Sequence, residues 1–200
     1  MKKYFLIFFI LTISLINSES EVIKNDQQII NLIENNWNSI GTMSGRFQQI
    51  DSDNNIEYGN FYFDKPYKSK FSYDHKEETI ITNKILINVL DDEGYQIDSY
   101  PIGNSPIKGI LSNNIKFDDI FTITSVEQIF DKEDIYQITT INKGSKNSDG
   151  KVLFLFTVDD LVLKKWVIFD EFGNKTVLEF TNMQKNISIG PNIFVVRYRH

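Results

Sequence analysis

Few residues in this chain are equipped for covalent or metal chemistry. There is no cysteine, and the two histidines are His75 and the final residue, His200. Without cysteine there is no disulfide, no thiolate nucleophile and no cysteine-based zinc site. Two histidines this far apart do not build a multi-histidine metal site, and a Ser-His-Asp triad would hang on one of them. His75 sits in Tyr73-Asp74-His75-Lys76-Glu77-Glu78, a charged turn, and reads as a solvated side chain. The carboxylates come in runs. Asp91-Asp92-Glu93 ends in Gly94 and lacks the spaced ligands of a calcium loop, so it reads as a hairpin turn. Asp159-Asp160 reads the same way. Asp118 and Asp119 would face opposite sides of a strand. Acid–base catalysis needs two acids on one pocket, and no spacing here argues for them. The sequence therefore assigns no catalytic residue, no metal ligand and no cofactor, and the chain reads as a non-enzyme.

The composition points elsewhere. The 200 residues carry 21 Lys and Arg against 27 Asp and Glu, for a net charge of −6. An acidic balance of this kind argues against nucleic-acid binding, which needs a clustered basic face. Lys164-Lys165 and Arg197-Tyr198-Arg199-His200 are basic but short, and read as solvated. Sixteen Phe and nine Tyr, with abundant Ile, favour strands over helices.

The elements follow from periodicity. Met1-Lys2-Lys3, an apolar run from Tyr4 to Ile16 and small residues at Ser18 and Ser20 have the pattern of a secretory signal peptide over 1–20, leaving a single domain over 21–200. Ile30, Ile33, Trp37 and Ile40 form one apolar stripe with polar Asn31, Glu34, Asn35 and Asn38 between them, which predicts a helix over about 24–39. Gly41 is positioned to end it. Strand signals dominate afterwards, with Gly45 and Phe47 on one side of the first strand, Phe61 and Phe63 on one face of the second, and Phe71 and Tyr73 on one face of the third. Residues 102–119 lack alternation, and Ser105-Pro106 is a helix start. Ile107, Ile110 and Leu111 then share a face. Strands resume from Phe121 to Tyr198. The expectation is one mainly antiparallel β domain of about ten or eleven strands, with one long and one or two short helices. Phe47, Phe61, Phe63, Phe71, Tyr73, Phe154, Phe156 and Phe180 serve a plain core or the wall of a ligand cavity equally well.

The order of segments resembles the periplasmic outer-membrane lipoprotein carrier family, the LolA-like proteins. After the helix, Gly45-Arg46-Phe47-Gln48-Gln49 resembles the family's G-x-F-x-Q strand. Tyr58-Gly59-Asn60-Phe61-Tyr62-Phe63 followed by Lys65-Pro66 resembles its next strand, which ends in Arg or Lys before Pro. Lys70-Phe71-Ser72-Tyr73 is similar to its R-(W/F)-x-Y strand. Ser105-Pro106-Ile107-Lys108-Gly109-Ile110-Leu111 is similar to its short helix after a small residue and Pro. Asp170-Glu171-Phe172-Gly173-Asn174-Lys175-Thr176 resembles its D-x-x-G-x-x-T turn. The chain departs from the pattern at Lys65, which keeps the charge of the frequent Arg but not its planar fork, and at Asn83-Lys84, where the family has Asp-Gly.

The resemblance implies an unclosed, curved half-barrel sheet covered by the N-terminal helix and short lid helices. It implies a periplasmic, monomeric chaperone that binds the acyl chains of lipoproteins released from the inner membrane and carries them to the outer membrane. Its partners would be acylated lipoproteins, an inner-membrane lipoprotein-releasing ABC transporter and an outer-membrane lipoprotein receptor. On this reading Phe47, Phe61, Phe63, Phe71 and Tyr73 line the hydrophobic cavity, Ile107, Ile110 and Leu111 belong to the lid, and Lys65 is its polar latch. The alternatives are a periplasmic sensor or interaction domain that binds lipidated or misfolded protein on the same scaffold, and an enzyme acting on lipid or glycan.

Overall fold

The computed structural model describes residues 18–103, 105–130, 134–143, 150–170 and 172–199, with side chains from residue 25 onward. The leader expected over 1–20 lies outside the described residues except for 18–20, which begin a helix. That helix, α1 (Ser18–Asn38), is followed by β1 (Thr42–Ile50), β2 (Ile56–Asp64), β3 (Lys68–Tyr73), β4 (Thr79–Thr82), β5 (Leu86–Leu90) and β6 (Gln96–Pro101). Two short helices come next, α2 (Pro106–Ile110) and α3 (Phe117–Ile120). The chain ends with β7 (Phe121–Ile129), β8 (Ile135–Asn142), β9 (Lys151–Thr157), β10 (Leu163–Phe169) and β11 (Lys175–Lys185).

All eleven strands form one sheet in the order β6-β5-β4-β3-β2-β1-β11-β10-β9-β8-β7, antiparallel throughout. The meander β1–β6 grows away from β1 on one side, and β7–β11 returns to β1 on the other. Strands β6 and β7 are the two edges, so the sheet does not close. It is curved: Phe63 of β2 and Ile138 of β8, from opposite halves of the sheet, share one core with Ile33 and Trp37 of α1. Register irregularities at Ser44/Arg46, Val89/Leu90, Ile123/Ser125 and Leu163/Lys165 are where strands bend.

The segment 102–120 joins the two edges and lies over the concave face together with α1. Its Ile110, Leu111, Ile115 and Phe117 have no exposed surface, and they belong to the same core as Phe47, Phe61 and Phe154. The apolar stripe of α1 is buried as its spacing predicts, from Ile30 to Ile40. The outer sheet face is polar over most strands, which is the alternation expected of a sheet packed on one side.

Two glycines set how tightly the central strands pack. Gly45 lies opposite Phe61, and Gly59 lies opposite Phe47. Each ring covers the glycine across from it. A methyl on Gly45 would stand 2.7 Å from the Thr181 carbonyl oxygen and 2.8 Å from the Phe61 ring. On Gly59 it would overlap the Ser72 carbonyl oxygen and the Phe47 ring. Both glycines of the resembling motifs are therefore places where a ring needs room.

Two expectations need correction. Phe194–Tyr198 is not a strand. The tail meets the residue just before β6 at one parallel bridge, Tyr95 with Arg197, and a lone bridge at an edge does not propagate a ladder. Two backbone hydrogen bonds at Arg197 and a few side chains hold the tail: Arg199 pairs with Asp91 at 2.6 Å, and the Lys68 ammonium sits 5.7 Å from the Phe194 ring centre. Asp118 and Asp119 lie in α3 rather than in a strand, and both are exposed.

Replacing Gly59 with Ala is expected to lower the unfolding free energy by about 1–3 kcal/mol, the usual cost of overpacking. Urea unfolding followed by tryptophan fluorescence measures this. Gly190→Ala, with no atom within 4 Å of the added carbon, is the comparison expected to show no such loss. Equal stability of the two variants would mean that β1–β3 relax around the methyl.

Candidate functional site

The concave face is built from aromatic side chains that the strand alternation delivers to one side. Phe47 of β1 lies 5.3 Å from both Phe71 and Tyr73 of β3, edge to face. Phe63 of β2 lies 4.8 Å from Phe61 and 5.8 Å from Phe71. All five residues expected to line the cavity thus stand together, and Phe180 of β11 joins them 5.0 Å from Phe61. The four phenylalanines are buried and Tyr73 is half-buried. The Tyr73 hydroxyl donates to Gln49 Oε1 at 2.9 Å. Burial, with Glu57 and Glu78 nearby, pushes its pKa up to about 12. A second aromatic group lies under α3, where Phe117 stands 5.4 Å from Phe154 and 6.0 Å from Phe121.

The expected lid residues lie over this face. Ile110 and Leu111 are fully buried in the core, and Ile107 is half-buried against it. What holds them there is polar and comes from α1. Trp37 Nε1 donates to the Ile110 carbonyl at 2.8 Å. Asn38 Oδ1 accepts from the Ile115 N–H at 2.7 Å, and Asn38 Nδ2 donates to the Ile115 carbonyl at 3.1 Å. Glu34, only 3% exposed, accepts from the Phe117 N–H at 2.8 Å and pairs with Lys116 at 2.6 Å. Glu34, Trp37 and Asn38 are three and four residues apart, so they share one helical face. That face satisfies the backbone of a segment too irregular to satisfy itself.

Lys65 sits at the other side of the same tryptophan. Its ammonium donates to the Trp37 carbonyl at 2.5 Å and lies 4.7 Å from the indole ring centre. It therefore meets α1 rather than α2, and reaches the lid through Trp37. Burial pushes its pKa down to about 8, which outweighs the pull of the carbonyl and the ring toward the charged form. The adjoining turn, with its cis Lys65–Pro66 peptide, makes a direct tie: the Tyr67 N–H donates to the Leu111 carbonyl at 2.8 Å.

Sequence reasoning places Glu34 and Asn38 on the polar side of the helix and Trp37 in the apolar stripe. It misses that the three form a seam. The available signal is their spacing, beside a glycine- and proline-bearing segment that needs outside hydrogen-bond partners.

An unclosed sheet with its concave face covered by an N-terminal helix and a short-helix segment is a recognisable architecture, and comparison with known families decides it. Residues 38–197 match the family of the outer membrane lipoprotein carrier protein LolA. The chain belongs to the LolA family. No curated protein sequence matches it. Among solved structures, it is similar to an uncharacterised conserved protein from Thermus thermophilus, at 10% identity over 88% of this chain and 99% of that one, with a TM-score of 0.50. It is also similar to a putative outer membrane lipoprotein-sorting protein domain from Vibrio parahaemolyticus, at 10% identity over 86% and 96% with a TM-score of 0.48. A third is a LolA superfamily protein from Nitrosomonas europaea, at 12% identity over 83% and 97% with a TM-score of 0.44. Membership makes this a carrier-type binding domain. Among the described residues no helix is long and apolar enough to cross a membrane.

Trp37→Phe keeps the stripe but leaves the Ile110 carbonyl buried without its donor. The expected cost is about 1–3 kcal/mol, with hydrogen exchange speeding up in 107–117 more than in β8 and β9. Uniform acceleration would show that Trp37 is ordinary core. Lys65 gives a pH signature. Its folded pKa of about 8 lies below the ordinary 10.5, so from pH 8 to 10.5 the unfolded chain binds more protons and stability rises with pH. A Lys65→Met variant should lack that rise in equilibrium unfolding, and a parallel rise in both proteins would contradict the buried-amine assignment.

Proposed function

We propose that this LolA-family chain is a periplasmic chaperone that binds the acyl chains of lipoproteins released from the inner membrane and carries them to the outer membrane. One observation carries the reading most of the way. The apolar concave face of an unclosed sheet is covered by a segment of the same chain, 105–120, whose underside is apolar but whose seam with α1 is made of hydrogen bonds. Water replaces hydrogen bonds along an opening seam at little net cost. Apolar surface uncovered at the same time has no such substitute unless another apolar group takes its place.

Acyl chains are that group. Each buried CH₂ is worth roughly 0.8 kcal/mol, so cargo with several chains outcompetes Ile107, Ile110 and Leu111 for the aromatic wall formed by Phe47, Phe61, Phe63, Phe71 and Tyr73. The same magnitude forbids release into water, so cargo passes by contact. An inner-membrane ABC transporter would load it and an outer-membrane receptor would take it. In the empty state the lid keeps a large apolar patch off the surface, which favours a monomer. Lys65 acts here as a latch at one remove, by fixing Trp37. No step of this cycle makes or breaks a covalent bond, and the chain is assigned no catalytic residue.

The purified protein added to spheroplasts that contain an active lipoprotein-releasing transporter should bring lipoproteins into the soluble fraction as a stoichiometric complex. Lys65→Leu should shift the balance between open and closed lid and slow onward transfer by several-fold. No complex with the native protein would remove the carrier function and favour the sensor alternative. Normal transfer by Lys65→Leu would remove only the latch.

A further inference from the structure

A cavity of about 390 Å³ opens on the α2–α3 segment, separate from the aromatic face. Its floor is the close packing of Gly109 against Ile120, whose Cδ1 lies 2.8 Å from where a Gly109 Cβ would be. Among the described residues its walls carry three lysines, Lys108, Lys116 and Lys143, and one acid, Asp119. Such a gathering is unexpected in a chain of net charge −6, because three ammonium groups around one space repel one another. The volume suits a small ligand or a headgroup.

The polar groups facing the cavity are only partly used. Lys116 pairs with Glu34, which lies behind it in the α1 seam. Lys108 Nζ donates to the Gly103 carbonyl at 3.3 Å, a long bond, and Lys143 Nζ donates to the Asp118 carbonyl. Neither of these last two contacts neutralises a charge. Among the described residues the cavity thus offers two cations with no acidic partner and a third cation shared with Glu34. A ligand that answers this set carries at least one full negative charge and several acceptor oxygens.

We propose that this cavity is a phosphate-binding subsite, held by Lys108, Lys116 and Lys143. A phosphate has the oxygens to meet all three ammonium groups, and lysine is a point-charge phosphate binder that needs no planar geometry. The site is coupled to the lid, because Lys116 serves both the cavity and Glu34. Phosphate drawn to Lys116 competes with the ion pair that ties α3 to α1, so an occupied cavity loosens the seam. The phosphate is either a lipid headgroup met at a membrane surface or a soluble phosphoester. The consequence for cargo rests on the carrier reading, whereas phosphate binding itself does not.

The experiment is a calorimetric titration of the purified protein with inorganic phosphate at constant ionic strength, beside flotation with phosphatidylcholine vesicles with and without phosphatidylglycerol. Lys108→Gln/Lys143→Gln leaves the Glu34–Lys116 pair in place, and Lys175→Gln, exposed at the start of β11, is the comparison that removes a positive charge away from the cavity. Saturable phosphate binding by the native protein and by Lys175→Gln, weakened on the order of tenfold in the double variant, is the expected result. Flotation that requires phosphatidylglycerol and is lost in the double variant identifies the source as a lipid headgroup. Phosphate binding without flotation identifies a soluble phosphoester. The absence of saturable binding by the native protein, or equal affinity in a double variant that melts normally, overturns the subsite. A fluorescent acyl probe bound by all the proteins keeps the carrier reading standing in that case. Failure of the probe with phosphate binding intact would sink the carrier reading and leave the subsite.

Discussion

An eleven-stranded sheet that curves without closing leaves one apolar face that the chain must cover for itself. A closed barrel would pair its last strand with its first and fill its interior with its own side chains. Here β6 and β7 do not meet, and 102–120 spans the interval between them while supplying Ile110, Leu111, Ile115 and Phe117 to the core. Nearly every other feature answers this constraint. Helix α1 lies on the concave side with its stripe inward, the rings of Phe47 and Phe61 fold over Gly59 and Gly45, and the bulged strands bend to bring both halves of the sheet toward one core.

Covering a face with irregular chain creates a second requirement. Buried backbone outside regular structure needs hydrogen-bond partners, and α2 and α3 are too short to provide many of their own. Helix α1 provides them from one face through Glu34, Trp37 and Asn38. Trp37 is the junction: its ring is core, its Nε1 holds Ile110, and its carbonyl takes the Lys65 ammonium. The cover is therefore apolar where it meets the sheet and polar where it meets the helix. Such a seam gives way more readily than an interdigitated apolar interface, because water can take over its hydrogen bonds.

The charges are arranged in keeping with this division. Acidic residues crowd the hairpin turns, where Asp51 and Asp170 each accept the backbone N–H groups of their own loops. Hydrogen bonds from Asn55 and Asn174, and then from those N–H groups, hold the two carboxyls below the usual carboxylate range. The lysines around the α2–α3 cavity lie on and beside the covering segment instead. The turn acids thus have local structural work, and the three cavity lysines stand where the cover meets solvent.

The sequence by itself determined the class of fold, the long helix, all eleven strands to within a few residues and the aromatic positions of one face. Apolar spacing of two or of three and four is a local property that burial on one side enforces. It also carried the family likeness, through Gly45, Gly59 and Lys65-Pro66, because a glycine under a ring and a turn at a strand end are local needs too. The tertiary structure alone decided the rest. Phe194–Tyr198 alternates like a strand, yet it makes one bridge, to Tyr95 just before β6. Whether an edge offers a full ladder depends on where the tail arrives. Glu34 and Asn38 look like solvent-facing residues, since a polar side chain beside an apolar stripe has the same spacing whether it faces water or another segment. The lysine-lined cavity joins residues 67 to 143 across three elements, and no local pattern encodes that proximity. It comes from the path of 102–120 between two unpaired edges, which only the packed chain defines.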